Sequence, residues 1–161
     1  EWLPQETILF DGARLQRRLD MDLEETSSLT LLESVVFGRM AMGETEIGGS
    51  FRDRWRIRRG RRLIFAEDMK IDGDMTSALD RPAVGGGARA SAIFLHVAPD
   101  AEARLEQIRA RLADAPCEWG ASAWNGMVVA RLLSPSPEKV RAAIISLLQS
   151  FRGRDAPRVW Q

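Results

Sequence analysis

Residues 13–23 read Ala13-Arg14-Leu15-Gln16-Arg17-Arg18-Leu19-Asp20-Met21-Asp22-Leu23. Odd positions are apolar except Arg17, and even positions are all polar. A period of two with one apolar face is the pattern of a strand packed on one side. Just upstream, Thr7-Ile8-Leu9-Phe10 is β-rich and Asp11-Gly12 is a turn signal. Residues 2–10 and 13–23 are therefore expected to form an antiparallel pair joined by a short turn. Downstream, residues 29–37 form a third strand, more fully buried, after which Gly38, Gly43, Gly48 and Gly49 punctuate the chain.

A second alternation follows. Phe51, Trp55 and Ile57 face one way, and Arg52, Arg54, Arg56 and Arg58 the other. After Arg59-Gly60-Arg61 the apolar set resumes with Leu63, Phe65, Met69 and Ile71. A three-residue loop would place Ile57 opposite Leu63, Trp55 opposite Phe65 and Phe51 opposite Met69, all on one face. A two-residue loop would mix the faces, so the three-residue register is expected. No helical period occurs before residue 100. Residues 1–72 thus read as an all-β half, and residues 73–89 as a glycine-rich loop that ends it.

The remaining residues, 90–161, change period. Residues 90–98 read as a strand. Asp100 is a plausible cap for a helix carrying Leu105, Ile108 and Leu112, which Pro116 would prevent from continuing. Strands at 117–123 and 127–133 flank Asn125-Gly126, a strong two-residue hairpin signal. Ser136 and Pro137 then open a second helix whose stripe is Val140, Ala143, Ile144, Leu147, Leu148 and Phe151. The order strand–helix–strand–strand–helix predicts a small antiparallel sheet with both helices on one face. The whole chain is expected to be a β-rich α+β fold with two helices in its C-terminal third.

Composition bounds the function. The 161 residues, 18.0 kDa, are 45% hydrophobic and 29% charged, which excludes disorder and leaves an ordinary globular domain. Lys+Arg and Asp+Glu both number 23, so the basic excess usual in nucleic-acid and membrane-surface binders is missing. No apolar run approaches the roughly 20 residues of a membrane span. A single Cys and a single His exclude an internal disulfide, Cys-rich metal sites and His-pair motifs. The opening Glu1-Trp2-Leu3-Pro4 is strand-like rather than signal-peptide-like, and it lacks a Met, which predicts a chain cut or processed from a larger protein.

No catalytic constellation emerges from the residues. His96 lies mid-strand among apolar neighbours, and Cys117 follows Pro116 with no base paired to it. Gly120-Ala121-Ser122-Ala123-Trp124 falls between strands, not at the strand-to-helix turn of a nucleophile elbow. Gly85-Gly86-Gly87 leads into a strand, whereas phosphate loops lead into a helix. Asp72-Gly73-Asp74 starts like a calcium loop but lacks the later glycine and closing Glu. Two features remain. The stripe Arg52/Arg54/Arg56/Arg58 either docks an acidic partner or is a solvated face pairing with Glu67 and Asp68. Carboxylates are scattered through the β half at Glu6, Asp11, Glu24, Glu25, Glu33, Glu44, Glu46 and Glu67. Of these, Glu33, inside an apolar strand, is the hardest to assign to surface solvation. A binder is expected rather than an enzyme, with a small hydrolase using Asp or Glu as the alternative. An Arg-stripe nucleic-acid binder is disfavoured by the zero net charge.

The opening Glu1-Trp2-Leu3-Pro4-Gln5-Glu6-Thr7-Ile8, followed by Phe10-Asp11-Gly12-Ala13, resembles a signature of the UreD (UreH) urease accessory family. Gly38-Arg39 with Ala41 and Gly43-Glu44 resembles its glycine-arginine and glycine-glutamate run. Arg54-Trp55 with Ile57, Leu63, Glu67 and Asp72-Gly73 is similar to its central hairpin. Asn125-Gly126 with Val129, Arg131 and Leu132, and the ending Pro157-Arg158-Val159-Trp160, are similar to its C-terminal part. Family members are longer, so the resemblance is to their C-terminal portion. It implies a β-helix-like stack of antiparallel strands with two helices. It implies a cytoplasmic, non-catalytic scaffold acting with UreF-like and UreG-like accessory proteins on apo-urease, with no nucleic-acid or membrane partner. Nickel would pass transiently through a polar path, with no tightly bound cofactor. Weak oxygen ligands suit such a path, and Glu6, Asp11 and Glu44 are the metal-transfer candidates. Arg52, Arg54 and Arg56 are the partner-docking candidates.

Overall fold

The computed structural model describes residues 1–161 throughout. Eight strands run in chain order: β1 (Thr7–Leu9), β2 (Ala13–Leu23), β3 (Leu29–Phe37), β4 (Gly48–Arg59), β5 (Arg62–Asp74), β6 (Ala90–Val97), β7 (Glu118–Trp124) and β8 (Met127–Ser134). The helices are α1 (Met75–Asp80), α2 (Leu105–Leu112) and α3 (Pro137–Arg152). A five-stranded sheet takes the order β1-β3-β6-β8-β7, and a three-stranded sheet the order β2-β4-β5. The fold is α+β and β-rich. The expected pair of C-terminal helices is present as α2 and α3.

Two compact units divide the chain. One gathers residues 1–7, 28–36 and 87–161, and the other residues 8–27 and 37–86. A division at 1–72, 73–89 and 90–161 follows the chain, whereas these units take β3 out of the β half and group it with β6.

In the first unit, Leu32, Phe94, Val128 and Ala130 on the sheet share a buried cluster with Ile108 of α2 and Ile144, Leu147 and Leu148 of α3. The α3 stripe works as its spacing requires: all six of its apolar positions named above are buried. Pro137 occupies the first turn, and Gly153 ends the helix at φ 61°, where its N–H reaches Gln149 O at 2.9 Å. Asn125 (φ 50°) and Gly126 (φ 71°) make the expected two-residue turn between β7 and β8.

In the second unit the alternation of β4 is obeyed without exception: Phe51, Asp53, Trp55 and Ile57 are buried, and the arginines between them are half-exposed. Phe37 meets Phe51 edge-on at 6.3 Å, and Trp55 lies 6.3 Å from Phe65.

Four expectations are corrected. First, residues 2–10 and 13–23 do not pair. A turn does form, closed by Ala13 N–H to Phe10 O at 3.0 Å, but β1 goes to β3 and β2 goes to β4. Second, the strands are not uniformly antiparallel, because β2 and β4 run parallel. Third, the β4–β5 turn has two residues. Gly60 (φ 52°) and Arg61 (φ 66°) both take the left-handed conformation such a turn needs. The mixing of faces is avoided because Ile57 pairs with Phe65 while Arg58 pairs with Leu63. Ile64 is therefore the extra residue of a bulge that restores the parity. Trp55 then stands opposite Glu67, and Phe51 opposite Ile71. Fourth, residues 73–89 include a helix, α1. Asp74 caps it, accepting from Ser77 N at 2.9 Å and Ser77 Oγ at 2.6 Å.

Candidate functional site

Past β3 the chain turns at Gly38 (φ 94°), whose N–H donates to Leu9 O at 2.7 Å. Met40–Met42 form one 3-10 turn, closed by Gly43 at φ 82°. The Glu44 carboxylate then folds back onto the start of this loop. Its Oε2 accepts the Arg39 N–H at 2.8 Å, and its Oε1 accepts from the Arg39 guanidinium and from Asp11 N–H at 3.4 Å. The Arg39 guanidinium, and then the Arg39 backbone N–H, lower its pKa to about 2. Asp11 is a fixed member of the same loop, because its Oδ1 accepts Gly48 N–H at 2.8 Å.

Asp11 also borders an open cleft of ≈ 820 Å³, lined further by Arg14, Glu46, Gly48, Ser50, Gly73 and Asp74. Three acidic residues, Asp11, Glu46 and Asp74, thus line one cleft, two of them with carboxylate oxygens already accepting, Asp11 from Gly48 N–H and Asp74 from Ser77. No group of three or more His, Cys, Asp or Glu side chains converges closely enough to hold a metal ion. Such an arrangement offers dispersed hard oxygen ligands and no closed cage. Glu6, the third transfer candidate, belongs to the other unit. Its two carboxylate oxygens each accept from Arg141 Nη1 at 2.8 Å. The structure therefore brings Asp11 and Glu44 together by a hydrogen bond and gives Glu6 a different partner.

The arginine stripe lies on the outer face of the three-stranded sheet, and its members differ. Arg52 forks onto Asp68, with Nε to Oδ1 at 2.9 Å and Nη2 to Oδ2 at 2.8 Å. Arg56 donates to the backbone oxygens of Trp55 at 2.7 Å and Glu67 at 3.1 Å. Arg58 reaches Asp20 at 3.5 Å. Arg54 has no hydrogen bond or ion pair. The expected pairing with Asp68 and Glu67 is realised for Arg52 and Arg56, and for Glu67 through its backbone.

The remaining residues weighed in the sequence have structural surroundings. Glu33, buried in β3, accepts the Trp2 indole N–H at 2.7 Å. His96 is buried, with Nδ1 3.0 Å from Thr30 Oγ1 and its ring edge-on to Phe151. Cys117 is half-buried, and burial pushes its thiol pKa up, the opposite of an activated nucleophile. No helix is long and apolar enough to cross a membrane.

Comparison with known proteins decides the family. Residues 1–161 match the family described as UreD urease accessory protein. The chain belongs to the UreD family. It is 52% identical over 165 residues to a urease accessory protein UreD of Methylobacterium sp. (strain 4-46), covering 99% of this chain and 58% of that protein. It is 55% identical over 161 residues to the UreD of Beijerinckia indica, covering 99% of this chain and 59% of the relative. Against the UreD of Rhodopseudomonas palustris (strain HaA2) the identity is 47% over 159 residues, with 99% and 57% covered. This UreD chain thus spans less than two thirds of the length of these relatives.

Within this UreD chain, sequence reasoning missed Glu46 and Asp74 as neighbours of Asp11 around the cleft. The available signals were the turn pairs Gly48-Gly49 and Gly73-Asp74, which the register sets side by side as Gly48 opposite Asp74 and Gly49 opposite Gly73. It also missed the paired charges Arg17 and Asp53, which stand on otherwise apolar strand faces.

Proposed function

We propose that this chain is part of a urease-maturation scaffold that works without catalysis of its own. In this reading it acts in the cytoplasm with UreF-like and UreG-like accessory proteins and assists nickel delivery to apo-urease. The observation that carries the reading is the family match over all 161 residues. The chemistry of the site supports it. Cargo that must be handed on needs ligands that release it, and dispersed carboxylates bind a divalent cation weakly and exchange it readily. Asp11, Glu44 and Glu6 are assigned to that path, with Glu46 and Asp74 added from the cleft. Nickel is cargo here, held transiently, and no cofactor is bound tightly. Arg52, Arg54 and Arg56 are assigned to partner docking, with neither nucleic acid nor membrane as partner.

The test is co-expression of the full-length protein with its UreF-like and UreG-like partners and apo-urease. Capture and urease activation are scored with and without residues 1–161. Loss of both on deletion is expected, and unchanged activation would overturn the reading. Within the complex, Glu44→Ala should slow activation more than Glu24→Ala, and equal effects would remove Glu44 from the path. Submicromolar nickel binding by the full-length protein alone would replace the transfer path with a fixed site.

A further inference from the structure

The register of the three-stranded sheet assembles its outer face row by row. Arg14, Ser50 and Asp72 form one row; Gln16, Arg52 and Lys70 the next; Arg18, Arg54 and Asp68 the third; Asp20, Arg56 and Ala66 the fourth. Two features of these rows oppose folding. Arg18 stands directly across from Arg54, and Arg52 directly across from Lys70. Like charges directly opposite on neighbouring strands are destabilising. Carboxylates answer three of these four cations, Asp68 binding Arg52, Asp72 binding Lys70 and Asp20 binding Arg18 and Arg58, which leaves Arg54 as the one without a bonded carboxylate. Arg14 and Arg54 make no hydrogen bond or close ion pair, Arg56 donates only to neutral backbone oxygens, and Asp68, already forked by Arg52, meets the charges of Arg54 and Arg56 only through space.

We propose that this face docks an acidic patch of a partner protein, centred on the guanidinium of Arg54 and extended by Arg14 and Arg56. The proposal rests on the docking role assigned above and moves its centre away from Arg52, whose fork is already filled. A planar guanidinium with free donors on a rigid central strand is suited to bidentate capture of a carboxylate. A protein fits better than a nucleic acid. Asp20, Asp68 and Asp72 lie among the arginines, and a uniform row of phosphates would meet them too, whereas a protein surface can offer acids to the arginines and donors to the aspartates.

The experiment uses the full-length protein, with polyglutamate and a short DNA duplex as immobilised probes, at about 0.05 M and about 0.3 M salt. Arg54→Ser should weaken polyglutamate binding about tenfold and flatten its salt dependence. Arg54→Lys should lose part of this, keeping charge without the fork. Arg62→Ser, which removes an exposed arginine beside the hairpin turn, should have a clearly smaller effect. Since Arg54 touches no other side chain through a polar contact and faces Arg18, the thermal midpoint should stay unchanged or rise slightly, and its not falling serves as the folding control. Equal effects of Arg54→Ser and Arg62→Ser would overturn the proposal, as would tighter binding of the duplex than of polyglutamate. A parallel capture of the UreF-like and UreG-like proteins and apo-urease separates the two claims. If polyglutamate binding depends on Arg54 while that capture does not, the acidic docking face stands and the assignment of its maturation partners fails.

Discussion

The Arg17 guanidinium is ion-paired to the Asp53 carboxylate on the buried face of the three-stranded sheet, and the two residues are direct register partners across the parallel strands β2 and β4. Arg17 also lies 5.7 Å from the centre of the Phe51 ring. A strand slipped by one residue would face Asp53 with Gln16 or Arg18 and turn the apolar residues of β2 outward. The pair therefore fixes register as well as charge. Asp53→Ala should destabilise the full-length protein by about 1–3 kcal/mol, because the half-buried Arg17 guanidinium loses its acceptor across the ladder. Replacing both, Arg17→Met with Asp53→Leu, should recover most of that loss, since an apolar pair of similar volume has no charge to desolvate. Urea denaturation of the two variants checks this. A double variant as unstable as the single one would mean that the charges do more than compensate each other.

This pair also shows where the sequence was legible and where it was not. β2, β4 and β5 were visible as alternations, because burial of one face imposes period two whatever the neighbour, and β3 as a continuous apolar run because both its faces are buried. Partner choice was not visible. The turn at Asp11-Gly12 forms, and only the long-range ladder decides that β1 and β2 separate to different sheets. Arg17 and Asp53 each looked like a flaw in an apolar face, and matching the two flaws would have suggested the β2–β4 pairing. The bulge at Ile64 was hidden for a related reason: face parity was weighed against turn length without allowing an extra residue. At the site, Asp11 and Glu44 were legible as glycine-flanked acids. Glu46 and Asp74 reach the cleft only through the pairing of β4 with β5.

Gly49 is expected to tolerate no side chain. Its φ is 137°, and a Cβ there would stand 2.1 Å from the backbone oxygen of Ala13, where β2 and β4 begin their ladder. Backbone cannot move aside as a flexible side chain does. Gly49→Ala should cost at least about 2–4 kcal/mol. Gly73→Ala, opposite it on β5 at φ 80° with open space around its Cβ, should cost about 1 kcal/mol from the backbone conformation alone. Thermal unfolding of both variants gives the comparison. Equal losses would show that β2 can shift to admit a methyl group.

The Glu44 carboxylate should govern the order of the Gly38–Glu44 loop in acid. Its pKa falls from the ordinary 4.5 to about 2 on folding. A depressed carboxylate favours the folded loop fully above the unfolded value and loses that contribution as pH drops from 4.5 toward 2. The amide resonances of Arg39 and Asp11, whose N–H groups it accepts, should therefore shift together over that window. Glu44→Ala should give the low-pH shifts already at neutral pH. Independent titration of the two amides would show that they do not share this carboxylate.

His96 should make the first unit less stable as pH falls through the range around 6. Its ring is 7% exposed, with Nδ1 3.0 Å from Thr30 Oγ1 and the ring centre 4.8 Å from that of Phe151. Burial lowers its pKa below the ordinary 6.5, and Arg104 lowers it further, while Asp100 and a bond to the Leu29 backbone act the other way. Arg104 is held close by, its guanidinium 3.6 Å over the Phe151 ring and Nη2 donating to Phe151 O at 2.6 Å. The sign follows from proton counting. Below 6.5 the unfolded chain takes up a proton that the folded ring resists, so stability is intact above 6.5 and declines as pH drops toward the lowered folded value. One such proton gives a slope of up to about 1.4 kcal/mol per pH unit. His96→Gln, which keeps a polar atom for Thr30 and cannot titrate, should lower stability at pH 7.5 yet flatten its dependence between pH 7 and 5. Denaturation midpoints of the full-length protein and the variant across that range decide the matter. Parallel curves would place the acid sensitivity in another group.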